Sequence, residues 1–209
     1  GNDAAMVLAD YVGGGDISKF VDMMNEKAKE LGCTGTHFAN PHGLQDENHY
    51  TTVHDLAIIT KYAMNLPYFT EITSQISYTC TPVGGPRAGK PFTKSTTNLL
   101  INKNGADGGK YYYQFAKGIK TGHTDESGYC LVSSATAEGI TYLCVALGAP
   151  SVDKNGRTIT TRGEMIDSKE LYKWAFKNLQ MKSVVKEQDP LGEVKLDYAW
   201  NKDTLRLVA

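Results

Sequence analysis

A chain of 209 residues with 41% hydrophobic and 22% charged residues has the size and apolar content of one ordinary globular domain with room for a small appendage, which excludes a disordered tail. Twenty-two basic against 23 acidic residues give a net charge of -1 with no block of like charge, so composition offers no surface for nucleic acid or anionic lipid. No apolar run approaches the roughly 18 to 20 residues of a membrane span, and the first residues show no basic-then-apolar signal region.

In chain order, Asn2 or Asp3 is placed to cap a short helix over "AAMVLADYV", which the glycines at 13 to 15 stop, and Asp16 to cap a second. In the second, Phe20, Met23, Met24, Ala28 and Leu31 recur at helical spacing and Gly32 is a natural residue just beyond the C-cap, so the methionines are expected in the core. "TGTHFANPHGLQDENHY" is a loop rich in Pro, Gly, Asn and Asp. Thr52 followed by Asp55 forms a capping-box pattern before "LAIITKYAMN", where Leu56, Ile59 and Ala63 make the buried stripe and Pro67 ends the helix.

Residues 75 to 81 read as a strand and "TPVGGPRAGKP" as a surface loop. "GIKTG", "GYCLVSSA" and "ITYLCVALGA" are three strand-like runs, the last two separated by only "TAEG" and so expected to form an antiparallel hairpin. From Asp167, "DSKELYKWAFKNLQ" predicts a helix with Leu171, Trp174, Ala175 and Leu179 on its inner face. Beyond Gln180, "SVVKE", "GEVKLDYAW" and "TLRLVA" are short strand candidates, the last two joined by "NKD", so residues 182–209 read as the start of a separate β element.

The four cysteines, Cys33, Cys80, Cys130 and Cys144, show no C-x-x-C pair. They read as buried apolar thiols, with Cys130 and Cys144, on neighbouring strand-like runs, the one pair placed for a bridge. His37, His42, His49 and His54 crowd one region, but i, i+5 spacings share no helix face and no metal-ligand motif appears, so loop and cap hydrogen bonding is the expected role. Gly84, Gly89 and Lys90 match the spacing of a phosphate loop, yet Pro91 replaces the Ser or Thr and Pro86 removes a backbone donor. Ser151 and Lys154 have Ser-x-x-Lys spacing but lie in a polar turn, where a nucleophile lacks the preorganisation of a helix N-terminus.

Lys120-Thr121-Gly122 is different. At a strand end an ammonium and a hydroxyl bind a carboxylate through charge-assisted hydrogen bonds, and glycine lets an extended peptide approach the strand edge.

"GIKTGHTDESGYCLVSSA", together with "FANPHGLQDENHYTTVHDLAIITKYAM" upstream and the opening "GNDAAMVLADYVGG", resembles the low-molecular-weight penicillin-binding proteins of the serine D-alanyl-D-alanine carboxypeptidase type (peptidase S11 type). The resemblance covers about residues 1 to 180. It implies an α/β fold, a β-lactamase/transpeptidase-like sandwich with a mainly antiparallel sheet and helices on its faces, incomplete at the N-terminus and followed by a short C-terminal β element. Residues 1–181 would be the C-terminal part of the peptidase domain, and residues 182–209 the start of a β-rich C-terminal domain.

The same resemblance implies a serine nucleophile in an S-x-x-K motif that attacks the bond between two D-alanines and forms an acyl-enzyme. Neither residue of that motif is present, so the chain by itself is expected to be inactive. Gly1 and Asn2 would be the last two positions of the family's S-x-N motif, Asn2 holding the substrate amide. Lys120 would supply positive potential, Thr121 would bind the terminal carboxylate, Gly122 would give clearance, and the backbone N–H of His123 would be an oxyanion donor.

An arginine often helps to hold the substrate carboxylate in that family. Arg157 and Arg162 both compete for the role, with Arg162 taken as the substrate-binding candidate, while Glu164 occupies the spacing expected of that arginine. The implied ligands are peptidoglycan stem peptides ending in D-Ala-D-Ala and β-lactam antibiotics, with no metal and no cofactor, at the outer face of the bacterial cytoplasmic membrane or secreted. Self-association is expected if apolar surface is left uncovered. A class A β-lactamase-like hydrolase and a non-catalytic peptidoglycan-binding module are the alternative readings.

Overall fold

The computed structural model describes residues 1–179, 188–195 and 204–208. The chain divides into two compact units, Gly1–Ala175 and Phe176–Ala209.

The first unit opens with α1 (Asn2–Gly13) and α2 (Ile17–Glu30), which pack against each other. α1 starts two residues before the expected stretch, with Gly1 rather than Asn2 or Asp3 at the N-cap, and ends at Gly14 in the left-handed region. Asp16 caps α2 as its sequence predicts, accepting hydrogen bonds from the Ser18 and Lys19 amides. The methionines are not core as expected: Met23 is exposed and Met24 is only half-buried.

After the loop at 31–52 come α3 (Val53–Ala63) and the short α4 (Phe69–Thr73). β1 (Ser77–Cys80) pairs antiparallel with β2 (Phe92–Ser95), which periodicity did not reveal because its residues are mostly exposed on both faces. The glycine-proline loop between them is almost wholly exposed.

The central sheet has the order β3-β4-β5: Ala116–Thr124, Gly128–Ala137 and Ile140–Ala149, all antiparallel. The expected hairpin forms with a tighter turn than "TAEG", because Thr136 and Ala137 stay in the ladder and only Glu138 and Gly139 turn, both with positive φ. Alternation along the strands separates two faces.

One face meets α5 (Gly163–Asn178): Ser133 and Tyr172 hydroxyls hydrogen-bond at 2.9 Å, the Cys144 thiol donates to Ser168 Oγ at 3.5 Å, and Leu131 and Met165 share a core with Leu100, Ile101, Tyr111 and Ala116. The other face lies against α3 and α4, with Cys130, Val132 and Leu147 opposite Leu56, Ile59, Ala63 and Phe69. Cys130 and Cys144 therefore sit on opposite faces and are not ladder partners. All four cysteines are free thiols, and Cys80 and Cys130 are only partly buried.

α5 corrects a sequence expectation. It begins four residues before Asp167 and buries Glu164, Met165, Ser168, Tyr172 and Ala175, leaving Leu171 and Trp174 more than half exposed. The apolar stripe misleads because the sheet face beneath α5 offers the Ser133 hydroxyl and the Cys144 thiol, whose buried partners are the Tyr172 and Ser168 hydroxyls. In the second unit β6 (Pro190–Lys195) and β7 (Thr204–Val208) pair antiparallel, as "GEVKLDYAW" and "TLRLVA" suggest. The "SVVKE" candidate lies outside the described residues.

The loop before α3 is pinned by one carboxylate. Asp55, almost fully buried, accepts from the Gly35 amide at 2.8 Å and the Thr36 hydroxyl at 2.7 Å, while its own amide donates to the Thr52 hydroxyl at 3.1 Å. Only the Thr52 half of the expected capping box forms, because the carboxylate is turned to the loop. A Cβ on Gly35 would lie 2.7 Å from Thr52 Cγ2, so the close approach needs glycine there.

The Thr36 hydrogen bond, followed by that from Gly35, outweighs burial and holds Asp55 below its ordinary value of 3.8. A depressed folded-state value makes the ionised form stabilising; the contribution is full above 3.8 and is lost as pH falls through the lower folded value. Asp55→Asn is expected to lower the thermal midpoint at neutral pH, and the gap to wild type to close below 3.8 in a melting series; a gap independent of pH would contradict this assignment.

Candidate active site

Among the described residues β3 is an edge strand of the central sheet, and a cleft of about 580 Å³ runs beside its second half. Its wall carries Lys120, Thr121, Gly122 and His123 from β3, Asn2 from the start of α1, Met24 from α2, and the turn Asn40-Pro41-His42-Gly43-Leu44. Thr97, His49, Tyr129 and Arg162 complete it. Asn2, Lys120, Thr121, Gly122, His123 and Arg162 are thus gathered around one space from three separate parts of the chain. Arg157 is exposed outside this wall, and Ser151 is buried in a turn away from it.

Consecutive strand residues point to opposite faces, so Lys120 and Thr121 cannot share a face of the sheet. Both border the cleft because it follows the strand's outer edge. The Thr121 side chain is nearly buried and its hydroxyl is fixed by Thr97 Oγ1 at 2.5 Å. The Lys120 ammonium donates to the Thr121 carbonyl. Burial lowers the Lys120 value from 10.5, since packed walls disfavour the charged form. At Gly122 an added Cβ would meet only Cys130 Cβ at 3.7 Å, an ordinary contact, so packing within the sheet does not demand glycine. The open side faces the cleft.

Opposite β3, the turn at 38–49 is built by side chains standing in for strand partners. The Asn25 amide bonds Phe38 in both directions, donating to its carbonyl at 2.9 Å and accepting from its N–H at 2.8 Å. Asn40 accepts from the Gly43 amide at 2.7 Å and donates to the Leu44 carbonyl at 3.0 Å. His42 Nδ1 accepts from the Leu44 amide and His49 Nδ1 from the Ala39 amide, both at 3.1 Å. Each imidazole therefore carries its proton on Nε2 when neutral. Burial, with smaller contributions from His42 and His37, holds His49 below 6.5 against the opposing pull of Asp46. The histidines do the loop bonding their sequence suggested, but the two that also line the cleft, with Asn40 and Thr97, were not read as site residues. "NPHGL" marks the turn; nothing in the sequence marks Thr97.

On the remaining side Arg162 stands just before α5, its backbone N–H donating to the Tyr111 hydroxyl at 3.1 Å. Its guanidinium carbon lies 4.3 Å from the centre of the Tyr129 ring, on which His123 also stacks at 4.5 Å. Glu164 is not at the cleft surface but fully buried, bonded to Arg162. Among the described residues, no group of three or more His, Cys, Asp or Glu is arranged to hold a metal ion.

The cleft can therefore offer two cations and a hydroxyl to a carboxylate, an extended edge to a peptide, and an amide side chain at Asn2 to a peptide group. Lys120 is expected to react with an amine-acylating reagent faster than the surface lysines between about pH 8 and 10, because more of it is unprotonated there. Competitive labelling read by mass spectrometry checks this, and average reactivity would contradict the lowered value.

A family profile for D-alanyl-D-alanine carboxypeptidases matches residues 1–151. D-alanyl-D-alanine carboxypeptidase DacF of Bacillus subtilis is 31% identical over 94% of the chain and 44% of its own length. DacA of Haemophilus influenzae is 29% identical over 100% of the chain and 47% of its own. Among solved structures, penicillin-binding protein 5 from Haemophilus influenzae superposes with a TM-score of 0.71 at 29% identity over 100% of the chain and 53% of its own. The Streptomyces K15 DD-transpeptidase gives 0.70 at 28% identity over 84% and 62%. The chain spans under half the length of these two curated relatives. These matches agree with the antiparallel sheet, its covering helices and the cleft beside β3: the chain belongs to the D-alanyl-D-alanine carboxypeptidase family.

Proposed function

We propose that the intact protein is a serine D-alanyl-D-alanine carboxypeptidase that trims peptidoglycan stem peptides and is acylated by β-lactams. The observation that carries this reading is the convergence of Lys120-Thr121-Gly122, Asn2 and the "NPHGL" turn on one cleft. In this reading Thr121, Lys120 and Arg162 hold the terminal carboxylate, Gly122 admits the peptide, and Asn2 bonds its amide. The His123 N–H is one oxyanion donor. Residues 1–181 then belong to the peptidase domain and residues 182–209 begin a β-rich domain. The protein acts on the outer side of the cytoplasmic membrane, where cell-wall peptides and cell shape are maintained; among the described residues no helix is long and apolar enough to cross a membrane.

No serine lines the cleft among the described residues, so none of them is placed to attack a ligand bound there. The intact protein is expected to form a covalent adduct with a fluorescent penicillin, and Lys120→Ala to slow its formation about a hundredfold, the scale of losing one electrostatic contact to the developing charge. The 209-residue chain is expected to stay unlabelled. An unlabelled intact protein, or a fully labelled 209-residue chain, would overturn the reading.

The proposal extends to self-association of the chain. Val7, Leu8, Tyr11 and Val12 on α1 are each at least half exposed, an apolar stripe of the kind that a second copy covers. Sedimentation at rising concentration is expected to show dimers or larger species, and a strict monomer would contradict it.

A further inference from the structure

Glu164 is a fully buried carboxylate beside an otherwise basic cleft, and its contacts are lopsided. Oε1 accepts from both Nε, at 2.6 Å, and Nη2, at 2.5 Å, of Arg162, whereas Oε2 has no hydrogen-bond partner. Burying a charge with half its acceptors unused is a poor route to stability, since an apolar residue of similar size avoids the desolvation cost. What the arrangement does achieve is orientation.

A guanidinium has two donor edges, and the Nε/Nη2 edge is occupied by Glu164. The Nη1/Nη2 edge keeps both Nη1 hydrogens and one on Nη2, a pair of parallel donors matched to a carboxylate. The arginine is further confined by its stacking on Tyr129 and by its backbone bond to Tyr111, and its side chain is 21% exposed at the cleft.

We propose that Glu164 is a positioning residue: it grips Arg162 by one edge so that the other is fixed in place for the carboxylate end of the ligand. The inference rests on the carboxypeptidase reading and adds to it the residue that orients the anchor. Ordering a long arginine side chain before the ligand arrives removes that entropy loss from the binding step. The buried carboxylate also offsets the arginine's charge, so the cleft gains a directed bidentate donor rather than a diffuse positive field. Lysine in place of Arg162 cannot reproduce this, having no second edge.

The test compares two substrates of the intact protein, a peptide ending in D-Ala-D-Ala as the free acid and the same peptide as the terminal carboxamide. Glu164→Gln is expected to reduce the preference for the free acid about ten- to a hundredfold, chiefly through KM, as befits a misplaced anchor, with the carboxamide rate nearly unchanged. A loss shared equally by both substrates marks a merely structural role and overturns the inference. Wild-type protein inactive on the free acid would instead overturn the carboxypeptidase reading.

A second measurement does not depend on the variant folding. In the wild-type protein the Arg162 Nε–H is expected to give a distinct, slowly exchanging nitrogen-proton signal in NMR. A rapidly exchanging signal like those of exposed arginines means that the edge is not gripped, and overturns the inference by itself.

Discussion

β3 is paired with β4 along one side and, among the described residues, has no strand along the other, and the arrangement of the cleft follows from that asymmetry. The β3–β4 register places Lys120 beside Val132, Thr121 beside Leu131 and Gly122 beside Cys130. A one-residue slip would exchange the faces of every one of them. Because Leu131 is locked into the core with Met165 and Val132 lies against α3, the register is fixed by burial on both faces. The chemistry at the outer edge therefore inherits its precision from apolar packing one strand away.

The opposite wall has no such ladder and is held by individual polar contacts. Asp55 ties Gly35 and Thr36 to the start of α3, Asn25 pairs with the backbone of Phe38, and the imidazoles of His42 and His49 close the turn. Each net hydrogen bond contributes about 1 kcal/mol, and several must hold together for the wall to keep its shape. The two walls thus differ in kind, one rigid through burial and one through a set of bonds that water can contest.

Much of this was legible in the sequence where a local rule decides the outcome. Asp16 and Gly32 bracket α2, the close spacing of two strand-like runs gave the β4–β5 hairpin, and the capping residue Thr52 marked α3. What failed did so where tertiary partners override periodicity. The Leu171/Trp174 stripe of α5 is outside because the sheet beneath presents Ser133 and Cys144 to the Tyr172 and Ser168 hydroxyls, and Met24 borders a cleft rather than a core. Arg162 and Glu164 show the same limit: sequence spacing put Glu164 where an arginine was expected, and only coordinates show the acid buried behind the base. Thr97 joins the site across 24 residues by a single hydroxyl contact that no pattern announces.

In acid the His49 ring meets a conflict with the amide it binds, because its Nδ1 is the acceptor. An imidazole that takes up a second proton becomes a donor at both nitrogens and can no longer accept from a backbone amide. Protonation of the His49 ring would set it against the Ala39 N–H group it now holds, and the turn would lose that fastening. Because burial holds His49 below its ordinary value, that fastening persists further into acid than one made by an exposed imidazole.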